Sequence, residues 1–162
     1  MQIYLLRHAI AEEAEAGKAD RDRALVPEGR KKLKEVLRLA RQADAAISLI
    51  LTSPYRRARE TADIVADLLA NEAELLETKA LEPGAQAEEV WREIRTHKPI
   101  DSMLLVSHEP LLSALVAFLL NSPSLRVDFK KSALVRLDVE TFTAQPHGTL
   151  RWMITPKVAG GA

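Results

Sequence analysis

Cysteine is absent from this 162-residue chain. That absence excludes disulfides, thiolate zinc sites and a cysteine nucleophile. Long apolar runs are lacking too. Residues 111–120 form the most apolar stretch, well short of the roughly 18 residues that a membrane span needs. The N-terminus lacks the basic region, apolar run and cleavage site of a secretory signal, so the expected compartment is the cytoplasm, with no membrane partner. Neither sign of charge is in excess: Lys plus Arg and Asp plus Glu stand at 23 each. This balance argues against broad nucleic-acid binding and still permits one local cationic pocket. No Walker A loop or GxGxxG pattern occurs, which speaks against an ordinary nucleotide cradle. No Pro/Gly/Ser linker and no internal repeat divides the chain. One domain is expected over residues 1–157, with residues 158–162 as a flexible tail.

What is there is an alternation of short apolar runs with helical patterns. Residues 2–6, 46–52 and 102–106 read as buried strands, and residues 75–78 as a short one. Pro27 suits the first turn of a helix running to residue 42, with Leu33, Val36, Leu37 and Ala40 at helical spacing. Ser53-Pro54 reads as a hydroxyl cap followed by proline at the first helical position, opening a helix to about residue 70. Residues 87–96 and 110–121 are further helices. Residues 133–139 and 150–154 read as strands joined by a turn around residues 146–148. Residues 10–25 read mostly as an exposed loop, and the tail after Pro156 as frayed. The expected class is α/β: a three-layer sandwich with a central, mostly parallel sheet flanked by helices.

Three strand ends carry unusual residues: Arg7-His8, Ser53-Pro54-Tyr55-Arg56-Arg57, and Ser107-His108-Glu109-Pro110. In a parallel sheet the carboxyl ends of the strands share one edge, where ligand sites form. Two histidines and at least one arginine are therefore expected to converge. Two of these junctions open helices, whose N-termini offer unpaired N–H groups. Arginine adds a planar fork that matches phosphate oxygens. A histidine attacks phosphorus only as neutral imidazole, and neighbouring arginines are expected to lower its pKa. No metal is then required.

Leu6-Arg7-His8-Ala9 resembles the Arg-His-Gly signature of the histidine phosphatase superfamily, the phosphoglycerate mutase-like fold. Residues 52–61, from Thr52-Ser53-Pro54 to Arg57-Ala58, resemble its second motif. Val106-Ser107-His108-Glu109-Pro110 resembles its second-histidine motif. The short length, Ala9 in place of glycine and the ending Leu150-Arg151-Trp152 are similar to the bacterial SixA-type phosphohistidine phosphatases. The resemblance implies a covalent phosphohistidine on His8, a phosphate pocket of Arg7, Arg57 and His108 with Ser107 beside it, and no cofactor. Two candidates stand for the proton donor, Glu82 and Glu109.

The implied substrate is a phosphohistidine on a partner protein such as a phosphotransfer domain. The alternatives are a phosphatase of small phosphoesters, and a non-catalytic phosphate- or protein-binding module. Arg56 and Arg59 read as surface or rim charges. Lys130-Lys131 reads as a solvated loop, with a place flanking the pocket as the alternative, and Arg30, Lys31, Lys32 and Lys34 read as an exposed helix face. Ser53 and Ser107 also read as simple helix caps.

Overall fold

Strand and helix patterns sort the chain into three layers. A computed structural model describes residues 1–97 and 99–160. The strands are β1 (Gln2–Arg7), β2 (Leu49–Thr52), β3 (Glu74–Glu77), β4 (Ser102–Ser107), β5 (Leu134–Asp138) and β6 (Thr149–Ile154). The helices are α1 (Pro27–Gln42), α2 (Arg56–Leu68), α3 (Ala87–Thr96), α4 (Leu111–Leu119) and α5 (Pro156–Ala159), with short 3-10 turns at Asp20–Asp22 and Lys79–Leu81. The sheet order is β3-β2-β4-β1-β5-β6. The first three contacts in that order are parallel, and the β1–β5 and β5–β6 contacts are antiparallel. The sheet is thus mixed, with its parallel part where the three motif-bearing strands lie.

Side chains alternate across a strand, and both faces here are apolar. On one face Ile3, Leu5, Leu51 and Leu105 pack with Trp91 and Ile94 of α3 and Leu115 of α4. On the other, Tyr4, Leu6, Ile50 and Leu104 pack with Leu33 and Val36 of α1 and Ala62 and Val65 of α2. Strands buried on both faces must be continuous apolar runs, as the sequence of β1, β2 and β4 is. The helix α1 keeps its expected bounds. Its Gly29 lies where a Cβ would meet the Ile10 carbonyl oxygen at 2.3 Å, so the helix seats directly on the loop after β1.

Two expectations change. The helix after Ser53-Pro54 starts later, at Arg56, because the Ser53 hydroxyl is engaged across the sheet edge and does not cap it. The chain after Pro156 is not frayed as far as residue 160. Thr155 caps α5 by accepting the Val158 N–H at 3.3 Å, and Ala159 is buried against the α1 layer. Of the expected tail, residues 158 and 159 are therefore helical, and residues 161–162 lie outside the described residues. No helix among the described residues is long and apolar enough to cross a membrane.

Candidate active site

Register brings the motifs together. Arg7 pairs with Ser107 and Thr52 with Val106. The ladder runs one residue past the strands: His8 N–H donates to the Ser107 carbonyl at 3.1 Å, and Ser53 N–H to that of Val106 at 3.0 Å. His8, Ser53 and His108 therefore leave the sheet side by side. The imidazole centroids of His8 and His108 are 5.1 Å apart. Arg7, Arg57, His8 and His108 line one cavity of about 240 Å³, together with Arg23, Lys131, Pro83 and Glu109. The expected convergence is observed.

His8 is 5% exposed. Its Nδ1 lies 2.8 Å from the Ala9 carbonyl oxygen. A carbonyl only accepts, so Nδ1 carries the proton and Nε2 the lone pair. Arg57 donates from Nε to that Nε2 at 3.3 Å. The Ala9 N–H in turn donates to the Thr61 hydroxyl, which donates to the Arg57 carbonyl, tying the turn after β1 to α2.

His108 is 2% exposed, with its Nε2 2.8 Å from the Ser53 hydroxyl. That hydroxyl already accepts the Tyr55 N–H at 3.3 Å. A hydroxyl accepts twice, so the proton of this contact lies on either atom; with Ser53 as the donor, the ring proton of His108 is on Nδ1. This Nδ1 and Nε of Arg7 are buried without a partner among the described residues. Each unmet buried polar group costs about 1–3 kcal/mol, a cost that an oxyanion in the cavity would remove.

Burial is the main cause holding both imidazoles far below the usual histidine range. It lowers His8 to about 3, helped by His108, Arg57 and Arg7 and opposed by the Ala9 carbonyl. It lowers His108 to about 3, with Arg57 the next cause. The arginines thus contribute as expected, but desolvation leads. A histidine buried neutral stabilises the fold above the ordinary value of about 6.5. As pH falls from there towards 3, the unfolded chain takes protons that the folded one refuses, and stability declines. The urea midpoint is therefore expected to be flat between pH 7 and 8 and to fall on acidification. His8→Gln should flatten that slope. An undiminished slope in the variant would remove the buried imidazole from this account.

Two groups missed in the sequence, and a third whose alternative reading places it beside the pocket, complete the site. Asp20 receives Arg57 twice: Nη1 donates to its carbonyl at 2.9 Å and Nη2 to its carboxylate at 3.2 Å. Arg23 donates from Nε to the same carboxylate at 2.9 Å. Burial opposes ionisation of Asp20, but Arg57 and Arg23 hold its carboxyl below the usual range. Lys131, expected in a solvated loop, lines the cavity, and burial first, then Arg7, Arg23 and Arg57, lowers its pKa. The Arg57 guanidinium also lies 5.1 Å from the Tyr55 ring centroid, within cation–π range.

Other expectations need correction. The Ser107 hydroxyl neither caps a helix nor meets the cavity: it donates to the Leu81 carbonyl at 2.8 Å and is fully buried. Glu82 ends the second 3-10 turn, and its neighbour Pro83 lines the cavity in its place. Glu109 lines the cavity, but one carboxylate oxygen accepts the Ser113 N–H at 2.8 Å and the other accepts the Ser113 hydroxyl. It thereby closes the α4 N-terminus, which was expected to offer free N–H groups to an anion. Arg56 and Arg59 do sit at the surface, paired with Glu60, Asp63 and Glu77. Among the described residues, no group of three or more His, Cys, Asp or Glu side chains is placed to hold a metal ion.

A tetrahedral dianion held against a neutral imidazole is what this cavity is shaped to receive, and that defines a phosphatase working through a phosphohistidine. Residues 3–82 match the model of the histidine phosphatase superfamily (branch 1). The chain belongs to that superfamily. It is 27% identical over 158 residues to the phosphohistidine phosphatase SixA of Escherichia coli K12, covering 96% of this chain and 94% of that one. It is 29% identical over 149 residues to an uncharacterized protein of Picosynechococcus, covering 91% and 90%. The solved structure of the protein histidine phosphatase SixA complexed with tungstate superposes with a TM-score of 0.85 at 26% identity, covering 96% of this chain and 97% of that one.

Proposed function

We propose that the chain hydrolyses phosphohistidine on a cytoplasmic partner protein through a phosphoryl group carried on His8. Nε2 of His8 attacks phosphorus as the bond from phosphorus to the substrate imidazole breaks. Arg7, Arg57, Arg23, Lys131 and the Nδ1–H of His108 stabilise the equatorial oxygens. The substrate ring, protonated beforehand on its other nitrogen, leaves as neutral imidazole. Water then attacks the phosphorus of phospho-His8. The His8 ring leaves in the same form, because the Ala9 carbonyl keeps a proton on Nδ1. The protons of the water end on inorganic phosphate and solvent.

The observation that carries the substrate class is the state of Glu109. It is the carboxylate lining the cavity, and both its oxygens are engaged by Ser113. An alkoxide leaving group needs a proton in the transition state, and a positioned acid typically contributes about 10²–10⁴-fold. An imidazole leaving group needs none. The likeness to proteins named as phosphohistidine phosphatases supports the same reading.

The test is trapping of phosphoenzyme with radiolabelled phosphohistidine protein and, in parallel, labelled sugar phosphates. Acid-labile label on the chain is expected with the first. A kcat/KM lower by at least about 100-fold is expected with the second. Comparable turnover of both would overturn the substrate assignment and favour a small phosphoester.

A further inference from the structure

A second and larger cavity of about 630 Å³ adjoins the active site and shares Arg7 and Lys131 with it. Its other cations come from separate parts of the chain: Lys32 on α1, Lys130 beside Lys131, and Lys157 on α5. Five cations thus face one lining carboxylate, Asp128. Lys130 pairs with Asp128 at 3.1 Å, and Lys32 with Glu28, outside the groove, also at 3.1 Å. Five cations less these two carboxylates leave a surplus of three, in a chain whose formal net charge is zero. Exposed ion pairs of this kind hold weakly, typically about 0–1 kcal/mol, so Lys32 and Lys130 remain open to an external anion. Like charges gathered on one wall repel one another, and an anionic partner relieves that repulsion.

We propose that this groove docks a carboxylate-rich surface of the substrate protein beside its phosphohistidine. The inference rests on the function proposed above. The 240 Å³ cavity takes the phosphoryl group, while a histidine on a protein brings its neighbours with it. Those neighbours must lie over the rim, and the lysine groove forms the rim on the Arg7 side. Acidic neighbours are steered there and bound; basic ones are repelled. The groove draws cations from α1, α5 and the 128–132 segment, so it matches an extended surface better than a second phosphate on a small molecule.

The test uses synthetic twelve-residue peptides with phosphohistidine flanked by Asp and Glu or by Asn and Gln, and free phosphohistidine. The wild-type protein is compared with Lys32→Glu/Lys157→Glu, a half-buried and an exposed position, both outside the catalytic cavity. The wild type is expected to prefer the acidic peptide by about tenfold in kcat/KM, less at high salt. The double variant should lose that preference through KM and still turn over free phosphohistidine at the wild-type rate. Equal use of the two peptides, or a preference surviving in the variant, overturns the proposal. So does a variant that loses affinity for a small bisphosphate and keeps its peptide preference. Fluorescence anisotropy of the unphosphorylated peptides on His8→Ala protein reads the groove without turnover. Charge-selective binding there, with no phosphohistidine hydrolysed by the wild type, would overturn the substrate assignment and leave the groove as an acidic-surface binder. Absence of that selectivity would overturn the groove.

Discussion

His8→Ala is expected to lower kcat by at least about 10⁴-fold and to abolish the labelled phosphoenzyme, because the attacking atom itself is removed. The remaining cations still form the anion hole, so inorganic phosphate should bind within a few-fold of the wild-type affinity. Arg57 is held by Asp20 through two bonds that do not involve His8, and Arg7 by the Phe129 carbonyl at 2.8 Å. The hole therefore survives the truncation. Circular dichroism and a urea midpoint guard against simple unfolding, since His8 is a buried side chain. Hydrolysis at the wild-type rate in this variant would take His8 out of the mechanism. Hydrolysis undetectable in both proteins, with phosphate still bound, would leave a phosphate-binding module on this fold.

The four residues read from the motifs were legible because each sits where a strand ends or a helix begins, and a parallel sheet fixes where those points lie. Arg7-His8, Arg57 and His108 need no knowledge of loop paths to be placed at one edge. Asp20, Arg23 and Lys131 are another matter. They lie on segments without periodicity: Lys131 is seated by the neighbouring Ser132 N–H, which donates to the Arg7 carbonyl at 3.1 Å, and the approach of Asp20 and Arg23 depends on how residues 9–26 fold back onto α2. That path is set by tertiary contacts: Gly29 against the Ile10 backbone, and the Leu25 N–H donating to Glu60 of α2 at 2.9 Å. The one local signal is the dense alternating charge of Asp20-Arg21-Asp22-Arg23 in an otherwise balanced chain.

Hydroxyl directions were equally out of reach. Ser53-Pro54 and Thr155-Pro156 present the same cap-and-proline pattern, yet only Thr155 caps a helix directly. The Ser53 hydroxyl is shared between the Tyr55 N–H and His108 Nε2 beyond the sheet edge, whereas the Thr155 hydroxyl takes the Val158 N–H of its own helix. Ser107 continues the ladder of β4, so its side-chain face follows from strand register, which turns it to Leu81 and away from the cavity.

Arg57→Lys is expected to lower kcat by about 10²–10³-fold with a smaller change in KM, the loss typical of an oxyanion donor that acts mainly in the transition state. The charge is conserved, and the argument concerns geometry. The guanidinium makes three directed contacts at once: Nε to His8 Nε2 at 3.3 Å, Nη1 to the Asp20 carbonyl at 2.9 Å and Nη2 to its carboxylate at 3.2 Å. A lysine ammonium is one nitrogen on a flexible stem and cannot span them. In the resting protein, Nε–H holds the lone pair of Nε2 towards the place where phosphorus arrives. As the N–P bond forms, that lone pair is consumed and the N–H is released to a phosphoryl oxygen. The donor is then poised for charge that develops during transfer. Asp20→Asn tests the anchor separately. It keeps the carbonyl contact and removes only the carboxylate charge, so a loss of about tenfold is expected. Wild-type activity in Arg57→Lys would reduce Arg57 to a point charge. A loss in Asp20→Asn as deep as in Arg57→Lys would instead make the carboxylate, and not the planar fork, the element on which transfer depends.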